Sequence, residues 1–337
     1  MNDNMILLAH GAGGKKSAEL IQSLFLQYFD NPVLNNLGDS AILNARPGQL
    51  AFTTDSFVVD PLFFPGGDIG KLAVCGTVND LAAVGARPIA LSTAFILEEG
   101  LKLETLEQVV ASMGAVAGEL GIPIVAGDTK VVPHGSADKM FITTSGIGYL
   151  SANQKPPAPN RAKPGDIVLI SGTIGEHGMA VMLAREGIEF STNIQSDCAP
   201  LWGLVSSMLE TAPDIHCLRD PTRGGLAAAL NELAVQSGVC IEIEESAIPI
   251  NEDVRVACEL LGIDPLHVAN EGKIVAIVPE NDAEAVLKTM KAHPHGKHAK
   301  IIGCVKSSPT GRVHLRTPMG TLRILDIPSG DILPRIC

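Results

Sequence analysis

Three aspartates stand where apolar segments end or break. Asp55 follows Leu50-Ala51-Phe52-Thr53-Thr54, Asp80 interrupts Thr77-Val78-Asn79-Asp80-Leu81, and Asp128 follows Ile122-Pro123-Ile124-Val125-Ala126-Gly127. Carboxylates so placed are the hard oxygen ligands that hold Mg²⁺ beside nucleotide phosphates. Any one of them is as readily a helix cap or a turn residue; the threefold recurrence favours a metal. A fourth group is the thiol of Cys337, at the end of Pro334-Arg335-Ile336-Cys337. An extended stretch from Gly330 to Cys337 would span roughly 23–25 Å, so a tethered nucleophile could swing into a site elsewhere. A frayed terminus with an incidental cysteine is the competing reading. Prenylation does not fit, since its cysteine lies fourth from the end.

Other groups are less specific alone. His10-Gly11-Ala12-Gly13-Gly14-Lys15-Lys16 feeds a helical stretch from about Ser17 to Tyr28. Its backbone N–H groups could cradle phosphate, but it lacks the full P-loop spacing, and a flexible surface loop is an equal reading. In Asp220-Pro221-Thr222-Arg223-Gly224-Gly225, Asp220 or Thr222 is placed to cap the next helix. Arg223 meets an anion or pairs with a carboxylate. Glu271, in Ala269-Asn270-Glu271-Gly272, is a surface charge or a base.

The elements that must carry these groups alternate. A strand over 50–54 precedes an apolar helix from Ile69 through Ala83, where a buried aspartate needs a compensating cation or donors. A strand from Met140 to Tyr149 closes the first half. Residues 151–165 hold Pro156, Pro157, Pro159 and Pro164 and read as a linker. The second half predicts strands at 166–171, 239–243, 273–278 and 300–305, with helices to Ala184, to about Gly238, and over 252–261 and 282–291. A hairpin over 312–325 precedes the tail. The expectation is an α/β chain with an N-terminal domain over 1–150, a linker over 151–165, a C-terminal α/β domain over 166–326 and a flexible tail over 327–337.

With 337 residues, the chain suggests two domains. A net charge of −12 without a long basic run excludes nucleic acid and anionic membranes as partners. No stretch is long enough to span a membrane, and no signal peptide is evident. Seven cysteines without a C-x-x-C pair argue against a disulfide framework and a structural zinc site. The expected location is cytoplasmic.

The motifs together resemble a known family. His10-Gly11-Ala12-Gly13-Gly14, Thr53-Thr54-Asp55-Ser56, Thr77-Val78-Asn79-Asp80-Leu81, Gly127-Asp128-Thr129-Lys130, Asp220-Pro221-Thr222-Arg223-Gly224-Gly225 and Pro334-Arg335-Ile336-Cys337 are similar to those of the hydrogenase maturation family HypE. That family lies within the aminoimidazole ribonucleotide synthetase-like group. The aspartate motifs belong to the whole group, and the Pro-Arg-Ile-Cys ending points to HypE. The resemblance implies a two-domain fold, with an N-terminal domain that binds ATP and forms a homodimer. It implies ATP and Mg²⁺ as cofactors, held by His10, Gly11, Thr54, Asp55, Asp80 and Asp128, the three aspartates being the metal ligands. It implies that Cys337, Lys130 and Glu271 are catalytic in an ATP-dependent dehydration of a carbamoyl group on Cys337 to a thiocyanate. The HypF carbamoyltransferase would supply the carbamoyl group. A HypC–HypD complex would accept the cyanide for the iron of nickel–iron hydrogenase. Two alternatives remain: a kinase or synthetase of the same group acting on a small metabolite, or a non-catalytic ATP-binding scaffold that presents its tail. A selenophosphate synthetase fits poorly, because its reactive residue lies near the N-terminus and the first cysteine here is Cys75.

Overall fold

The computed structural model describes residues 4–44, 47–186, 193–327, 333 and 335–337. The first half begins with α1 (Lys15–Leu20) and α2 (Leu26–Phe29), joined through a wide helical turn at Ile21–Phe25. Next come β1 (Gln49–Phe57), a short ladder of β2 (Phe63–Phe64) and β3 (Gly67–Asp68), and α3 (Ile69–Ala83). Then follow β4 (Arg87–Glu98), α4 (Leu103–Leu120), β5 (Ile124–Val132) and β6 (Met140–Leu150). Four of these strands form one sheet in the order β1-β6-β4-β5, parallel only between β4 and β5.

Local chemistry sets the helix positions. The Asp68 carboxylate accepts the N–H groups of Gly70 and Lys71 at 2.7 and 3.1 Å and so starts α3. Helix α4 buries Leu106, Val109, Val110, Met113 and Ala117, one amphipathic face, and stops at left-handed Gly121. Helix α3 covers one face of the sheet. The strict buried–intermediate alternation along β6 follows from that one-sided cover. On the opposite face Leu50 and Phe52 stand 68% and 70% exposed.

The second half comprises β7 (Ile167–Ile170), α5 (Glu176–Glu186), α6 (Trp202–Thr211), β8 (Cys217–Arg219), α7 (Gly225–Ser237) and β9 (Cys240–Glu244). It continues with α8 (Glu252–Leu261), β10 (Val275–Val278), α9 (Ala283–Ala292), β11 (Lys300–Lys306), β12 (Arg312–Arg316) and β13 (Leu322–Ile324). The sheet order is β13-β12-β9-β11-β7-β10-β8. Leu226, Leu230 and Leu233 of α7 pack on Ile241, Ile243 and Val313, while Leu204, Val205, Val286 and Met290 of α6 and α9 pack with Leu169 and Ala276. Helices α5 and α8 instead join the apolar cluster of the first half, which takes in Phe57, Leu72, Met179, Val254 and the tail residues Leu333 and Ile336. No described helix is long and apolar enough to cross a membrane.

Two sequence expectations change. Strands β1 and β5 run on through Asp55 and Asp128, which therefore lie within strands. Neither Asp220 nor Thr222 caps α7: its N-cap is Gly224 at φ +76°, with no side-chain cap bond. Gly330, from which the reach of the tail is reckoned, and Pro334 lie outside the described residues.

Candidate active site

The two halves meet along a crevice that gathers carboxyl groups. Asp55 projects from β1 toward α3, where it accepts Thr77 Oγ1 at 3.2 Å. Asp80, in the last turn of α3, accepts Thr53 Oγ1 at 2.7 Å. A helix C-terminus disfavours an anion there. Burial, and then the charge of Asp80, raise the Asp55 carboxyl to about 6. The same two causes raise Asp220, which enters from the loop before α7, also to about 6. Glu271 is 4% exposed, so the surface-charge reading of it falls. Burial lifts its pKa well above the usual carboxylate range, followed by the charges of Asp220 and Asp197. Arg223 supplies an opposing positive field at Asp55. Asn79 of α3 crosses the boundary: its Nδ2 donates to the carbonyls of Ala199 and Glu271 at 3.0 and 3.2 Å, and its Oδ1 accepts Leu201 N–H at 2.8 Å.

A second group lies at the far edge of the first sheet. A cavity of about 420 Å³ is lined by His10 and Gly11 from the turn before α1, Asp128 and Lys130 from β5, and Thr93 and Phe95 from β4. Its size is that of a small-molecule cleft. Thr93 Oγ1 is buried among the described residues without a hydrogen-bond partner, a polar atom that a polar ligand could satisfy. Lys130 Nζ lies 2.8 Å from Asp128 Oδ1, with side chains 64% and 60% exposed. The Lys130 hydrogen bond holds Asp128 below its usual range. So exposed a pair is weak and can exchange partners. Burial, then Lys16, lower the pKa of His10, keeping that imidazole neutral.

The expected site residues thus separate into two groups. Register pairs Asp55 with Thr144, Thr144 with Thr93, and Thr93 with Gly127. Three strand spacings of about 4.8 Å place Asp128 roughly 14 Å from Asp55. Among the described residues, no three His, Cys, Asp or Glu side chains gather closely enough to hold a metal ion. Thr54 faces the other side of the sheet from Asp55, donating to Thr144 O at 3.1 Å. Glu271 and Lys130 likewise sit in different groups, crevice and cavity.

Comparison with known proteins is consistent along the chain. Residues 37–150 match the AIR synthase related protein N-terminal domain, and 163–316 match its C-terminal domain. A carbamoyl dehydratase HypE of Azotobacter vinelandii is 50% identical, the alignment covering 100% of this chain and 98% of the relative. The chain belongs to the HypE family. A solved hydrogenase maturation protein HypE in complex with ATP superposes with a TM-score of 0.95 at 51% identity, over 98% of this chain and 99% of that one. A HypE from a HypE–HypF complex gives 0.80 at 53% identity, over 92% and 99%.

The described end of the HypE-type tail is docked. Ile336 is 3% exposed and Leu333 8%, both inside the shared apolar cluster, against which Cys337 also packs. Arg335 Nε donates to Val58 O at 2.9 Å, and its guanidinium pairs with Asp138. The Arg335 carbonyl accepts Asp60 N–H at 3.3 Å and Arg185 Nη2 at 2.6 Å. The main-chain oxygen of Cys337 accepts Val58 N–H at 3.1 Å, three residues along the chain from Asp55. The motif containing Asp220 was visible in the sequence, but its place beside Asp55 and Asp80 is a long-range fact. Asp197 and His177 gave no sequence signal.

Proposed function

We propose that this chain dehydrates an S-carbamoyl group on Cys337 to a thiocyanate with ATP. The observation that carries the reading is the docking of Cys337, whose main-chain oxygen accepts Val58 N–H just past the end of the strand that carries Asp55. An amide oxygen is a poor leaving group, so it must first be activated. Attack of the carbamoyl oxygen on the γ-phosphorus releases ADP and turns that oxygen into a phosphate ester. Loss of both N–H protons and of phosphate then leaves the nitrile. The net change is one water removed per ATP cleaved. Glu271, buried beside Asp220 and Asp197 where the two halves meet, is the proposed base. Lys130 is proposed to handle the proton that accompanies phosphate.

ATP is proposed to occupy the cavity of His10, Gly11, Asp128 and Lys130, with Thr54 at the sheet face beyond; the unpartnered Thr93 hydroxyl fits a polar ligand there. For Mg²⁺, the all-oxygen donors Asp55, Asp80 and Asp128 fit the ion's preference, and Asp55 and Asp220 carry the signature of uncompensated charge. A bound Mg²⁺ would neutralise charge on the transferring phosphoryl group. A second copy of the chain is proposed over the open face bearing Leu50 and Phe52, joining cavity and crevice groups from two sheets. The domain division at 151–165, a cytoplasmic location, a HypF-type donor of the carbamoyl group and a HypC–HypD acceptor complete the proposal.

The test is coupling. Protein carbamoylated at Cys337 should form one ADP per carbamoyl group with Mg-ATP, and Cys337→Ala should form none. ADP formation that ignores the carbamoyl group would contradict the reading.

A further inference from the structure

Glu271 is useful as a base only if its carboxyl is aimed, and its peptide is gripped by a side chain the reaction has not yet required. Asp197 Oδ1 accepts Glu271 N–H and Oδ2 accepts Gly272 N–H, each at 3.1 Å. Lys273 Nζ lies 3.1 Å from the same Oδ2, and the two side chains are only 12% and 3% exposed. Burial alone would raise the Asp197 pKa, but Lys273 and the Glu271 N–H outweigh it, so the group is held below its usual range as an anion. The approach requires Gly272, because a Cβ there would fall 1.8 Å from the Asp197 carbonyl oxygen.

The preceding residue reaches the tail. Ser196 Oγ lies 2.8 Å from His177 Nδ1, and His177 Nε2 lies 2.8 Å from the Ile336 carbonyl. A carbonyl only accepts, so Nε2 carries the proton and Nδ1 accepts the Ser196 hydroxyl. Ser196 Oγ in turn accepts Cys198 N–H at 3.1 Å, and Ser196 N–H donates to Pro65 O at 2.8 Å. His177 is fully buried, with its ring edge-on to Phe64 at 5.4 Å.

We propose that Ser196-Asp197 is the positioning element of the dehydration, with Asp197 fixing the Glu271 peptide and Ser196, through His177, fixing the carbonyl one residue before Cys337. One dipeptide thereby sets where the base and the carbamoyl carrier stand relative to each other. This rests on the proposed roles of Glu271 and Cys337.

The test uses full-length protein carbamoylated at Cys337, following ATP-dependent water loss in a single turnover by mass spectrometry, with ATP affinity measured in parallel. Asp197→Ala/Lys273→Met removes both members of the buried ion pair and leaves no acceptor for the Glu271 and Gly272 N–H groups. His177→Phe keeps a ring against Phe64 and deletes the donor to Ile336. Each should slow dehydration about 100-fold at unchanged ATP affinity, the scale of a small misplacement of reacting groups. His177→Gln, which retains an N–H donor, should recover part of the rate. A parent-like rate in the double variant would show that Asp197 merely neutralises Lys273, and would overturn the proposal. So would a parent-like rate in His177→Phe, which decides the matter if the double variant does not fold. A parent-like rate in Glu271→Gln would instead remove the base reading itself.

Discussion

The cavity beside β5 and the crevice between the two halves use the same residue type to opposite ends. In the cavity, Asp128 is exposed, paired with Lys130 and held below its usual range. In the crevice, Asp55, Asp220 and Glu271 are largely withdrawn from water, crowd one another and are raised. A paired, exposed carboxylate is ready to exchange its partner for a ligand. A crowded, buried one stores an unmet need for a proton or a cation. The cavity is thus suited to binding, and the crevice to chemistry.

Breaking the crevice should cost most. Glu271→Gln should lower the rate of water loss by about 10²–10⁴-fold, the usual range for a lost acid–base group, with carbamoylation of Cys337 intact. Turnover at the parent rate would remove Glu271 from the mechanism. Asp80→Asn should cost about 100-fold in the same assay, as expected for one lost electrostatic contact to the reacting phosphate. Lys130→Met should combine a smaller rate loss, about 10- to 100-fold, with weaker ATP binding, because Lys130 belongs to the cavity. If Lys130→Met left ATP affinity untouched, the division between binding and chemistry would fail.

The smallest effect is on stability. The folded carboxyl of Asp55 titrates at about 6, above its ordinary 3.8. Folding therefore takes up protons between those values, and this group's contribution to stability falls as pH rises through 6. In chelator-treated protein, Asp55→Asn should melt above the parent at pH 7.5, the gap closing toward pH 4. Adding Mg²⁺ should raise the melting temperature of the parent more than that of the variant. A gap that widened toward acid would reverse the sign and refute the crowding argument.

Much of this arrangement is legible in the chain. Helix α3 starts and stops where its apolar pattern and Gly85 place it. The aspartate motifs stand at the two groups described above. What the sequence hides is pairing at a distance. Asp220 reads locally as a cap, because nothing nearby reveals that Asp55 and Asp80 wait across the crevice. Asp128 reads as a third ligand beside them, because strand order, which sets β5 at the opposite edge from β1, has no local signal. Strand β4 and helices α4 and α6 give no chemical motif to draw the eye, and Pro88 argues for a break where β4 in fact begins. His177 is silent for the same reason: its partners are Ser196 and Ile336, 19 and 159 residues away.

The most direct test of the central claim is the mass of the peptide that carries Cys337, after enzymatic carbamoylation, before and after Mg-ATP. A carbamoyl adduct on Cys337 should lose one water when Mg-ATP is added. An adduct that persists unchanged would contradict the claim and leave a carrier that binds ATP without using it on the tail.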